Sequence, residues 1–178
     1  MNKSLLLCAA ALGLAAGSVH ADYKVDMHSI DTTGIGPSIG SIGIKEGAKG
    51  GVVFMPDLKN LPPGAHGFHV HSAGNCGPRE KDGKMEAGEA AGPHWDPDKA
   101  GKHGSPKGGG HRGDVPTLLV AENGTAKGPL AAPRLKLADL QGKSLMIHDG
   151  GDNYADKPKP NGGGGMRIAC GVIESAAK

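Results

Sequence analysis

Long apolar runs, blocks of a single charge and helical periodicity are all missing from this sequence. Its longest apolar stretch, Leu5 to Ala16, falls well short of the about 20 residues that a membrane-spanning helix needs, and no later segment approaches that length. The expectation is therefore no membrane insertion. Basic and acidic residues, 20 against 18, are interspersed along the chain. No basic block points to nucleic acid, and no basic amphipathic helix points to a membrane surface. No repeat of fixed period is present. Aromatic residues are scarce, and there are only three cysteines.

Glycine is what the chain has in excess: 32 of 178 residues, well above the usual share of about 7%. The glycines sit mainly between apolar runs and beside histidines, a pattern of many turns and tightly bent loops. The chain opens "MNKSLLLCAAALGLAAGSVHA", a lysine, an apolar run and then small residues, which is the form of a secretory signal cleaved after Ala21. A lipoprotein signal at Cys8 is the weaker alternative, because Leu7 stands where a small residue belongs. The expected organisation is a signal over residues 1–21 and one domain over 22–178. Removal of the signal leaves Cys76 and Cys170. In an oxidising compartment such a pair reads as one disulfide, against the alternative of two buried thiols. Closing so long a loop stabilises by about 4–5 kcal/mol in the chain-entropy model.

Short alternating or apolar runs recur between turn signals: "YKVDMHSI", "SIGSIGIKEG", "GVVFMPDL", "GFHVH", "VPTLLVAENG", "SLMIHDG" and "MRIACGVIE". Asn123-Gly124 is a hairpin signal. Only "APRLKLADLQGK" offers a turn or two of helix. This pattern predicts an all-β sandwich or barrel of about eight short strands. Two segments, residues 74–114 and 149–165, read as loops too long for simple turns, and such loops are functional or disordered. The first is dense in histidine.

Histidine carries the chemistry. His69 and His71 flank Val70 and so share one face of a strand, about 6.5–7 Å apart, where they can converge on a metal or simply be wetted. His94, His103 and His111, with Asp114 three residues on, make a four-ligand set for Zn²⁺. His148 ends a strand-like run and is placed to join His69 and His71. Imidazole-rich sites suit zinc, copper, iron or nickel, and two clusters suggest two ions doing different work.

Read with their flanks, the stretches "HGFHVH", "AAGPHWDP", "KHGSP", "GGGHRGD", "LMIHDGGDNYADKP" and "GGGGMRIACGVIE" resemble the Cu,Zn superoxide dismutases, in particular their exported bacterial branch. They follow the family's order across nearly all of the mature chain. The resemblance implies an eight-stranded Greek-key β-barrel, a relative of the immunoglobulin-like sandwich, with two long functional loops. It implies one copper ion per subunit on His69, His71, His94 and His148, and one zinc ion on His94, His103, His111 and Asp114, with His94 bridging the two. Asp152 matches the family's carboxylate that links a copper ligand to a zinc ligand, here His69 to His103. Arg167 matches the arginine beside copper that docks the superoxide anion, with His94 passing a proton in the reaction. Cys76–Cys170 matches the family disulfide, and His66 a histidine bonded to backbone. Lys81, Lys84, Lys157 and Lys159 are candidates for steering substrate. A periplasmic location and a homodimer are further expectations, although the branch also holds monomers. The rival reading is an exported copper or zinc carrier on the same barrel, which binds metal without turnover.

Overall fold

The computed structural model describes residues 22–174; the expected signal at residues 1–21 lies outside them. Twelve strand segments are present: β1 (Tyr23–Asp31), β2 (Gly34–Glu46), β3 (Val52–Leu58), β4 (Gly64–His66), β5 (Phe68–His71), β6 (Arg79–Lys81), β7 (Lys84–Glu86), β8 (Leu118–Val120), β9 (Ala126–Lys127), β10 (Leu130–Ala132), β11 (Ser144–His148) and β12 (Arg167–Val172). Helix is confined to single 3-10 turns at Glu89–Ala91, Leu137–Asp139 and Asn161–Gly163 among the described residues. The second falls within "APRLKLADLQGK".

The main sheet runs β10-β3-β2-β1-β12-β11-β5, with β9 also on β3, and every pairing is antiparallel. β4 continues into β5 across Gly67 and pairs with β8, and the Asn123-Gly124 turn joins β8 to β9. These links close the sheet on itself as a barrel. β4 with β5, and β9 with β10, act as single interrupted strands, leaving eight staves and the small β6–β7 hairpin outside them. The structure departs from the sequence reading here: residues 74–114 are not all loop. Asp82 and Gly83, both at positive φ (52° and 76°), form the tight turn that pairs β6 with β7. An Asp-Gly dipeptide is the residue pair such a turn favours.

Alternation decides which side chains fill the barrel. Phe68 and Val70 of β5, with Leu145 and Ile147 of β11, point inward and are fully buried, and Phe54 meets Phe68 edge to face with centroids 5.3 Å apart. Each such side chain contributes roughly 1.5–3 kcal/mol by leaving water. The intervening residues point outward: His69 and His71 on β5, and Met146 and His148 on β11, with registers Met146↔His69 and Ser144↔His71. They are buried all the same, because the long loops cover this outer face. A register shift after Ile147 puts Arg167 of β12 opposite His148. A second apolar cluster of Ile30, Cys76, Ala91, Met146 and Cys170 packs beneath the first loop. The Cys76–Cys170 disulfide, Cα atoms 5.7 Å apart, ties that loop to β12.

Candidate metal centre

The loop after β7 comes back onto β5 through backbone bonds: Trp95 N–H donates to the Val70 carbonyl (2.9 Å) and Val70 N–H to the Gly113 carbonyl (3.0 Å). Gly113 is needed for this approach, since a Cβ there would press on the Val70 carbonyl and come within 3.0 Å of Trp95 N. This docking delivers His94, His103, His111 and Asp114 to the outer face of the barrel, against His69, His71 and His148. Three groups result, each with potential ligand atoms within 4.8 Å of one another: His69, His71, His94 and His148; His94, His103, His111 and Asp114; and His69, His103 and Asp152. His94 belongs to the first two, and its ring stacks on that of His69 with centroids 4.0 Å apart.

Four of the rings are oriented from behind. His71 Nδ1–H donates to the Gly92 carbonyl (2.8 Å) and His148 Nδ1–H to the Gly165 carbonyl (3.3 Å). Asp152 accepts from His69 Nε2–H (2.9 Å) and His103 Nε2–H (2.8 Å), one oxygen to each. These bonds leave the opposite nitrogens of three rings without a partner: His69 Nδ1, His71 Nε2 and His148 Nε2 are buried and make no directed hydrogen bond. Leaving a buried polar atom unpaired costs about 1–3 kcal/mol. Three such atoms in the group that His94 completes make a donor set arranged for a cation. Beside them, the Nδ1 atoms of His94, His103 and His111 lie 3.0, 3.0 and 3.3 Å from one oxygen of Asp114. Imidazole nitrogens with one carboxylate suit Zn²⁺, and an all-imidazole quartet suits copper among other ions.

Electrostatics agree. Burial, and then the neighbouring His94 ring, hold His69 and His71 well below the ordinary imidazole range. Burial likewise lowers His94, and brings His148 to about 4. The quartet is therefore neutral at pH 7, the form that binds metal. Burial would also lower His103, but hydrogen bonds to Asp114 and Asp152 overcome it and raise the ring to about 9. Burial works against ionisation of Asp114, yet His103 and His94 keep its carboxyl far below the usual carboxylate range.

A cleft of about 940 Å³ opens onto this centre, lined by His71, His94, His148, His111 and Arg167, while His69, His103 and Asp114 lie behind its wall. Arg167 donates to the carbonyls of Gly88 (2.6 Å) and Gly92 (3.0 Å). Of the four lysines named from sequence, Lys81 and Lys159 reach the cleft and Lys84 and Lys157 do not. His66 stays apart, with both ring nitrogens facing carbonyls, of His148 (2.7 Å) and Pro62 (2.8 Å).

Three supporting residues escaped the sequence reading. Arg134 donates to the carbonyls of Pro106 (3.2 Å), Gly110 (2.9 Å) and His111, fastening the histidine loop. Asp156 accepts from the backbone N–H of His103 (2.9 Å) and Asn161 (3.0 Å), joining the two long loops. Glu89 lies 3.1 Å from Arg167. No local motif marks any of them.

The family model described as copper/zinc superoxide dismutase matches residues 38–173. "Superoxide dismutase [Cu-Zn] 2" of Salmonella typhimurium is 53% identical over 173 residues, covering 97% of this chain and 99% of that protein. The structure of a Cu/Zn superoxide dismutase from Brucella abortus superposes with a TM-score of 0.83 at 48% identity, covering 85% of this chain and 98% of that one. The solution structure of the monomeric copper, zinc superoxide dismutase from Salmonella enterica gives a TM-score of 0.76 at 53% identity, with the same coverage.

Proposed function

Because the chain belongs to the copper/zinc superoxide dismutase family, we propose a division of labour among the residues of its metal centre. The protein is a superoxide dismutase: two superoxide anions and two protons become one oxygen molecule and one hydrogen peroxide. When bound, copper supplies the electron exchange and zinc supplies fixed charge without redox work. His69, His71, His94 and His148 would hold copper, and His94, His103, His111 and Asp114 would hold zinc, so that His94 would serve both groups.

Asp152 keeps protons on the Nε2 atoms of His69 and His103, so that Nδ1 of each ring is the nitrogen turned towards metal. His94 lines the cleft and would exchange a proton in turnover at Nε2 only while that nitrogen is not bound to copper, since Nδ1 is occupied on the Asp114 side. Arg167 presents a fixed positive charge to the incoming monoanion, and positive potential in a cleft raises on-rates by about 10–1000-fold. Residues 1–21 direct export to the periplasm, where the Cys76–Cys170 disulfide persists. The homodimer expected from sequence meets a counter-example in the Salmonella enterica relative, whose structure is described as monomeric. Sedimentation equilibrium reads the state of this chain directly.

The observation that carries this assignment is the convergence of three buried, unpartnered imidazole nitrogens, of His69, His71 and His148, beside a three-histidine carboxylate set. Superoxide decay after pulse radiolysis, with metals counted on the same sample, tests it. Decay proportional to copper content, near the diffusional ceiling of about 10⁸–10⁹ M⁻¹s⁻¹ that is general to efficient enzymes of this family, and abolished by His148→Ala, is the expected result. Full copper and zinc loading with no decay faster than buffer would instead establish the carrier reading.

A further inference from the structure

Glu89 is the one buried glutamate among the described residues, at 9% exposure. It stands in the 3-10 turn Glu89–Ala91, and its two carboxylate oxygens face two different cations. Oε2 lies 3.1 Å from Arg167 Nη2, and Oε1 lies 3.4 Å from Lys81 Nζ on the β6–β7 hairpin. All three side chains line the cleft in front of the copper-type quartet.

Orientation of the guanidinium does not require this carboxylate. The carbonyls of Gly88 and Gly92 already receive Nη1–H and Nη2–H, and Glu89 Oε2 makes no directed hydrogen bond. What Glu89 adds is charge. A guanidinium with 14% of its side chain exposed has lost most of its water, and a counter-ion offsets that loss. The same negative charge sits beside the group that must attract an anion. Arg167, Glu89 and Lys81 together carry one net positive charge; without the carboxylate's charge they would carry two.

We propose that Glu89 is the counter-ion of Arg167 and that its charge sets the affinity of the copper site for small monoanions, superoxide among them. The inference rests on the reading that Arg167 docks the anion. Glu89 acts through Arg167 and is a positioning residue in the electrostatic sense: it lowers anion affinity in exchange for a stable buried arginine.

Azide is the probe, titrated into the copper- and zinc-loaded protein and followed by the change in copper absorption, at low and at physiological ionic strength. Glu89→Gln keeps the shape and removes the charge. It should bind azide roughly three- to tenfold more tightly at low salt, with the gain shrinking as salt screens it. Glu89→Met, of similar volume and also uncharged, should behave alike and supplies the measurement if the Gln variant does not fold. Glu89→Asp, which keeps the charge, should return affinity toward wild type, a rescue that a purely structural role would not follow. Arg167→Gln should weaken azide binding. Wild-type or weaker affinity in both uncharged variants, with Arg167→Gln still weakened, overturns the role of Glu89 alone. Unchanged affinity in Arg167→Gln overturns the docking reading beneath it.

Discussion

Replacing Asp152 by alanine removes one carboxylate and deprives three donors at once: His69 Nε2–H (2.9 Å), His103 Nε2–H (2.8 Å) and the backbone N–H of Tyr154 (2.7 Å). The side chains of His69 and His103 are completely buried, so water does not replace the lost acceptor. Two orphaned buried imidazole donors cost about 1–3 kcal/mol each. The proton on each ring also loses its reason to reside on Nε2, and the Nδ1 lone pair needed for metal is populated for less of the time. Loss of such an outer partner typically lowers metal affinity about 10–100-fold. Because one oxygen serves each ring, both metals should be affected, unlike a change confined to one loop. Asp152→Asn should restore little, since its amide nitrogen must face one of the two N–H groups. The assay is chelator competition at pH 7 with copper and zinc counted separately. Ring titration of the metal-free protein is the companion measurement, since His103, held at about 9 partly by Asp152, should fall in the variant. In the wild-type apoprotein this raised value stabilises the fold below the unfolded value of 6.5, and the stabilisation is lost as pH rises through about 9. If Asp152→Ala retains both metals at wild-type affinity, the bridging role is refuted.

The metal-free protein should also weaken in acid. His148 is neutral in both states above its unfolded value of 6.5, but as pH falls toward about 4 only the unfolded chain takes up the proton, which removes about 3 kcal/mol of stability. Urea unfolding at several pH values measures this slope, and His148→Gln should flatten it. Changing both Cys76 and Cys170 to serine opens a loop of sequence separation 94 and should lower stability by about 4–5 kcal/mol, read by the same method. Arg134→Ala releases the carbonyls of Pro106, Gly110 and His111 and should speed zinc loss about tenfold while His69, His71 and His148 keep copper. Equal loss of both metals, followed by chelator capture, would count against a loop-specific role.

Much of the barrel was legible because a strand writes its environment at period two. Phe68-His69-Val70-His71 places its apolar residues inward and its histidines outward, and the register with β11 follows the same rule. The Asp82-Gly83 turn was equally legible in principle, yet it lay inside a segment read as loop; a dipeptide signal is easily passed over where the flanking strands are three exposed, mostly charged residues each. Glu89, Asp156 and Arg134 had no such signal. An acid or arginine in a polar stretch looks like a solvated side chain until the fold shows which carbonyl or cation it faces.

By itself the sequence determined the strand pattern, the pair of cysteines, and the identity and order of the histidines and carboxylates. Ligand type and face alternation are local properties, written in residue chemistry and in spacing along the chain. Tertiary structure decided which nitrogen of each ring is left unpartnered, that His94 stands in both clusters, and that Arg167 shares its cleft with a buried glutamate. Those facts depend on contacts between residues as far apart as His69 and Asp152, and only closure of the barrel and docking of the loops bring such residues within hydrogen-bonding distance.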